Sequence, residues 1–95
     1  MSRYRKGSDF ERFVKYQLEE EGYFVVRSAG SHGPADLVAL KGGFPTMLVQ
    51  CKAGAITGPD RVSVAMLATE FPDCWVGFAT PTGDHPRVKL TRSGA

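Results

Sequence analysis

Two short apolar runs, 35–40 (Ala-Asp-Leu-Val-Ala-Leu) and 46–52 (Thr-Met-Leu-Val-Gln-Cys-Lys), flank the segment Lys41-Gly42-Gly43-Phe44-Pro45. A glycine pair between strand-length runs predicts a β-hairpin. Antiparallel pairing returns the end of the second strand to the start of the first, so Asp36 meets Gln50 and Lys52. Side chains alternate along a strand, which sends Val49 and Cys51 one way and Leu48, Gln50 and Lys52 the other. The second strand is apolar on both faces until its end, so it is expected to be central and covered on both sides. A carboxylate, an amide oxygen and an ammonium at one end of a sheet make a poor core. They suit a divalent cation gripping a phosphate.

The rest of the chain supplies the layers around that hairpin. Ser8 followed by Glu11 has capping-box spacing, and Phe10, Phe13, Val14 and Leu18 then recur at helical intervals, predicting a helix over 9–21. Gly22 is placed to end it in a left-handed cap, and 23–27 reads as a strand rich in aromatic and β-branched residues. The small, polar segment 28–34 is a loop, as is 54–58. Pro59 fits the first turn of a second helix with Val62, Ala65, Met66 and Thr69 along one face, ended by Phe71-Pro72-Asp73. Segment 74–79 reads as a strand and 87–91 as a weaker one, joined through 81–86. Helix, three strands, helix, two strands is an α/β order, and a mixed five-stranded sheet flanked by helices buries these faces most simply.

Ninety-five residues are enough for one core and too few for a second lobe. The expectation is a single domain over 1–95, with 1–7 as a basic arm. No run is long enough to span a membrane, and the first residues lack the apolar stretch of a signal peptide, so a cytoplasmic protein is expected. Cys51 and Cys74 match no metal spacing and lie in apolar, strand-like segments, as buried free thiols do. Net charge is only +2, but Arg3, Arg5, Lys6, Arg12 and Lys15 crowd the first fifteen residues while Glu19, Glu20 and Glu21 follow. Such a gradient steers one end of the molecule toward phosphates or simply solvates a basic arm.

Gly7-Ser8 with Glu11, then 33–40 (Gly-Pro-Ala-Asp-Leu-Val-Ala-Leu), then Gln50-Cys51-Lys52, resemble the PD-(D/E)xK nuclease motif. The match is most similar to the archaeal-type Holliday-junction resolvases and covers roughly residues 5–54. The resemblance implies a restriction-endonuclease-like fold and a Mg²⁺-dependent endodeoxyribonuclease, with Mn²⁺ able to substitute. It implies that Glu11 and Asp36 are acidic metal-site residues, that Gln50 occupies the place of another ligand, and that the backbone carbonyl of Cys51 joins the metal shell. Lys52 would be the catalytic lysine, with Ser31 on a loop close to the scissile strand. A homodimer acting on branched DNA is implied, with no nucleotide cofactor and no membrane partner. One position departs from the pattern, because the family usually has glutamate where Gln50 stands. An amide offers an oxygen without a charge, so cation binding is expected to be weaker.

Each residue also has a plainer reading. Glu11 completes a capping box, Asp36 suits a strand-start turn, Lys52 points to solvent, and Gln50 is an ordinary polar strand residue. His32 invites the role of general base, yet loop histidines are mostly inert. Contacts to the DNA backbone need charge and no particular geometry, and Arg3, Arg5, Lys6, Arg27, Ser31, His32 and Lys41 are the candidates. Phe78 and Trp75 belong to the core or to a subunit interface. Three functions remain open: a junction resolvase, a nuclease acting on flaps, single strands or DNA in general, and a nuclease-fold module that binds DNA with weak or no cleavage.

Overall fold

Phe10, Val14 and Leu18 are at most 2% exposed and recur at four-residue intervals, which gives the first helix, α1 (Gly7–Glu20), one apolar stripe to bury. The computed structural model describes residues 7–28, 35–82 and 87–94. Arg3, Arg5, Lys6, Ser31 and His32 lie outside the described residues. Among the described residues α1 begins at Gly7, and the Glu11 carboxylate that it carries lies 3.6 Å from the Arg27 guanidinium. At the other end Gly22 takes φ +98°, the Gly22 N–H donates to Glu19 O and the Tyr23 N–H to Leu18 O. These two bonds form a Schellman cap, which glycine permits without a Cβ clash.

Five strands follow, β1 (Phe24–Arg27), β2 (Leu37–Leu40), β3 (Met47–Cys51), β4 (Trp75–Thr82) and β5 (Arg87–Arg92), in the spatial order β1-β2-β3-β4-β5. β3 and β4 run parallel and the other neighbours antiparallel. A parallel pair needs a crossover, and α2 (Gly58–Glu70) supplies it. The sheet is thus the mixed, five-stranded one expected. β4 runs three residues beyond the predicted end at 79, through Pro81, because pairing with β5 (Pro81 opposite Val88) outweighs the proline as a local breaker.

The sheet separates two apolar layers. On one side α1 packs Phe10, Val14 and Leu18 against Val25, Leu37, Ala39, Met47, Val49 and Ala79. On the other, Val64 of α2 meets Val76 and Phe78. Val49 is fully buried, as a central strand requires. The buried face of α2 is not the predicted one: Val62 and Met66 are 60% and 63% exposed, while Val64 is buried with Leu67 and Ala68 around it. α2 carries apolar residues on more than one face, so periodicity alone did not choose between them. Phe24, Val26 and Leu40 also stay exposed, on the face of β1 and β2 that α2 does not reach. Among the described residues no helix is long and apolar enough to cross a membrane.

At Gly77 the neighbouring strand leaves no room for a side chain. A Cβ there would lie 2.2 Å from the Thr91 carbonyl oxygen and 2.9 Å from the Arg92 Cα. Only glycine fits between β4 and β5 at this point.

Candidate active site

Asp36 sits one residue before β2, next to the Leu37–Val49 pair, and so faces Gln50. Three backbone links hold it. Its N–H donates to Val49 O (2.8 Å), its carbonyl accepts from the Ser28 N–H (2.9 Å), and its Oδ2 accepts from the Cys51 N–H (2.8 Å). The carboxylate therefore takes the place of a strand carbonyl at the end of the ladder, which fixes its direction. At 9% exposure, burial pushes this carboxyl above the usual aspartate range; the Cys51 N–H and the Lys52 ammonium offset part of that.

Glu11 reaches the same place from α1. Its carboxyl is raised first by burial and then by the charge of Asp36, against the opposing pull of Arg27. Arg27 is the last residue of β1, paired with Leu37, which explains why it stands beside the acids. Two carboxylates that share an incompletely neutralised, half-buried space favour a cation between them.

Gln50 is half-buried on β3, beside Phe78 of β4, and among the described residues no hydrogen-bond partner engages its amide. The Cys51 side chain turns to the α1 layer. Burial, with Asp36 and Glu11 nearby, pushes its thiol upward, so it stays protonated and offers no thiolate ligand. Its backbone carbonyl remains as a hard oxygen donor. Among the described residues no three His, Cys, Asp or Glu side chains gather. Two carboxylates, an amide oxygen and a backbone carbonyl would together make an all-oxygen donor set, the kind a hard divalent cation prefers.

Lys52 follows β3, and its N–H donates to Ala79 O (2.9 Å). Its Nζ lies 3.1 Å from Asp60 Oδ2, on the first turn of α2. Asp60 is held in turn, accepting from the Thr57 N–H (2.9 Å) and donating its own N–H to Thr57 Oγ1 (3.3 Å). These bonds, with the Lys52 charge, draw the Asp60 carboxyl down to about 2. The sequence reading did not single out Asp60. Thr57-Gly58-Pro59-Asp60 has capping-box spacing with a proline inside the first turn, and that signal marks the helix start without marking the lysine it meets.

The structure gathers Glu11, Asp36, Gln50, Cys51, Lys52 and Arg27, and separates Lys41 from them. Lys41 lies past the opposite end of β2, where its Nζ donates to the Glu21 carbonyl (2.7 Å) and stands over the Tyr23 and Phe44 rings (5.3 and 4.7 Å from their centroids). It closes the C-terminus of α1, at the end of β2 away from the acids.

Residues 2–66 match the family model of the archaeal Holliday junction resolvase (Hjc). The chain belongs to that family. It is 49% identical over 55 residues to the crossover junction endodeoxyribonuclease Hjc of Methanocaldococcus jannaschii, a match covering 58% of this chain and 40% of the relative. The chain thus spans well under half of that relative's length. The solved structure of Archaeoglobus fulgidus Hjc, a Holliday junction resolvase from an archaeal hyperthermophile, superimposes with a TM-score of 0.72 over 92% of this chain and 72% of that one, at 18% identity. At that identity the likeness speaks for the fold, and the fold is the resolvase one.

Proposed function

We propose that this protein is a divalent-cation-dependent endodeoxyribonuclease that cuts branched DNA, with the four-way junction as its substrate. The observation that carries the reading is the Asp36 carboxylate, bound through Oδ2 to the Cys51 N–H, facing Gln50 and sharing its space with Glu11. Membership of the resolvase family and the nuclease named for its Methanocaldococcus relative support the substrate.

Glu11, Asp36, the Gln50 amide oxygen and the Cys51 carbonyl would hold the ion, Mg²⁺ with Mn²⁺ as a substitute, which polarises a phosphoryl oxygen and makes bound water acidic. Around it the protein orients and stabilises. Asp36 is kept in place by its backbone bonds, and the Lys52 ammonium stands ready to compensate the charge that develops on the phosphate as the bond to the leaving oxygen breaks. Arg27, beside Glu11, would meet the DNA backbone, and Arg3, Arg5, Lys6, Ser31 and His32 are the further candidates that the sequence offers for it.

The reading takes residues 1–95 as one nuclease domain acting in the cytoplasm as a homodimer. A two-fold dimer matches a junction that must be cut at two symmetry-related places. Phe24, Val26 and Leu40, exposed side by side on β1 and β2, offer apolar surface for a second copy.

Purified protein with Mg²⁺ or Mn²⁺ should nick a synthetic four-way junction in preference to linear duplex, and Asp36→Ala should abolish it. An uncut junction would sink the proposal; equal cutting of both substrates would move it to a general nuclease. The neutral Gln50 favours one second reading, a DNA-binding module with weak cleavage. Silence in the wild type together with activity in Gln50→Glu would establish that alternative.

A further inference from the structure

Beside the site, between α2 and β5, lies an open cleft of about 350 Å³ whose lining includes Arg61, Phe78, Thr91, Arg92 and Ser93. Its lining holds Arg61, two hydroxyls and no acid, and is bordered by Arg92, which also lines the clefts that include Glu21 and Asp73. Among the described residues Arg61 is paired with no carboxylate, while Lys15, Arg27 and Lys52 each are. Unneutralised guanidinium with hydroxyl donors is the chemistry that receives a phosphodiester oxygen.

The register places this cleft in line with the catalytic residues. Phe78, in its floor, pairs with Gln50 on one side and Thr91 on the other. The Lys52 N–H meets Ala79 O, next to Thr80, and Thr80 pairs with Lys89. Alternation along β5 puts Arg87, Lys89 and Thr91 on one face of the sheet, the face of Phe78 and Val64. Arg87 and Lys89 are both exposed. Two strand spacings, about 10 Å, separate β3 from β5. A strand lying over Lys52 therefore has a basic row to continue onto, opposite the side on which Arg27 stands.

We propose that Arg61, Thr91 and Ser93 form a phosphate-binding cleft for DNA, which with Lys89 and Arg87 holds the backbone on the far side of the scissile phosphate. The inference rests on the nuclease reading and deepens it: the DNA surface is two-sided, with Arg27 on one flank and the α2–β5 cleft on the other. The sequence reading placed every DNA contact on the first half of the chain, because β5 alternates like any edge strand and the partner of Arg61 is set by how α2 packs.

Binding of a fluorescent four-way junction, measured by anisotropy in EDTA so that cleavage plays no part, tests it. Arg61→Ala, Lys89→Ala and the double variant Arg61→Ala/Lys89→Ala should weaken binding about threefold to tenfold per site, and each lost contact should lower the slope of log affinity against log salt by about one. Arg61→Lys should restore the slope, since it returns the charge. Arg61 and Lys89 are exposed, so thermal melts of these variants should match the wild type. Variants that bind with wild-type affinity and slope overturn the cleft while leaving the nuclease reading intact. A wild type that binds no DNA overturns both. A wild type that binds through this cleft and cuts nothing overturns only the nuclease reading.

Discussion

Lys52 Nζ lies 3.1 Å from Asp60 Oδ2, so the lysine of the site is held by the first turn of a helix whose own start Asp60 caps. One carboxylate accepts from the Thr57 N–H and balances the Lys52 charge, which ties the geometry of the sheet end to the anchoring of α2. A long, flexible ammonium side chain is thereby given a fixed direction beside Asp36.

Asp60→Asn separates these two duties. The asparagine oxygen still accepts from the Thr57 N–H, but no charge holds Lys52. Single-turnover cutting of a junction should fall about tenfold with junction affinity unchanged, and the melting temperature at pH 7 should fall slightly as the ionised Asp60 is lost. Thr57→Ala should do the reverse, lowering stability by about 0.5–2 kcal/mol with the smaller effect on cutting. Equal loss of rate in both variants, in proportion to stability, would leave Asp60 as a helix cap only.

Acid titration should expose the same contact. The Asp60 carboxyl is lowered from the ordinary 3.8 to about 2, so its stabilising contribution is complete above the unfolded value and is lost as pH falls from about 3.8 toward 2. Wild type should lose stability across that window, and Asp60→Asn should lose less, as read by thermal melts at pH 5, 4, 3 and 2.

Asp36 and Glu11 carry the opposite sign. Their carboxyls are raised in the folded protein, so without a cation their charged forms weaken the fold above the folded values, and stability recovers as pH falls through those values toward the unfolded ones. Millimolar Mn²⁺ should raise the melting temperature of wild type at pH 7. Asp36→Asn keeps an oxygen for the Cys51 N–H and removes a half-buried charge, so the metal-free variant should melt at or above the wild-type temperature and show no Mn²⁺ shift. A variant that melts lower and still responds to Mn²⁺ would contradict the assignment.

Gly77→Ala should destabilise by about 1–3 kcal/mol or more, because the new Cβ would meet the Thr91 carbonyl, a backbone atom that no rotamer change moves aside. Urea melts measure this directly. Gly54→Ala, where a Cβ meets nothing within 4 Å, is the matched control and should lie within about 0.5 kcal/mol of wild type.

Much of the site was written in neighbouring residues. The glycine pair at Gly42-Gly43 and the apolar runs on either side determine a hairpin, and a hairpin by its register alone sets Asp36 against Gln50. The same local logic determines the buried stripe of α1, because Phe10, Val14 and Leu18 are the large apolar residues at its four-residue spacing. The tertiary structure decided what depends on two elements meeting. The sequence pattern pointed to the Val62 face of α2, and the sheet beneath buried the Val64 face instead, since both faces are apolar. Asp60 became the partner of Lys52 because the parallel crossover brings the start of α2 back over the end of β3, and Lys41 stands apart from the acids because it closes α1 at the opposite end of β2. A residue's local conformation follows from its near neighbours in the chain, whereas the partner of a charge is set by packing between elements distant in sequence, which no local pattern records.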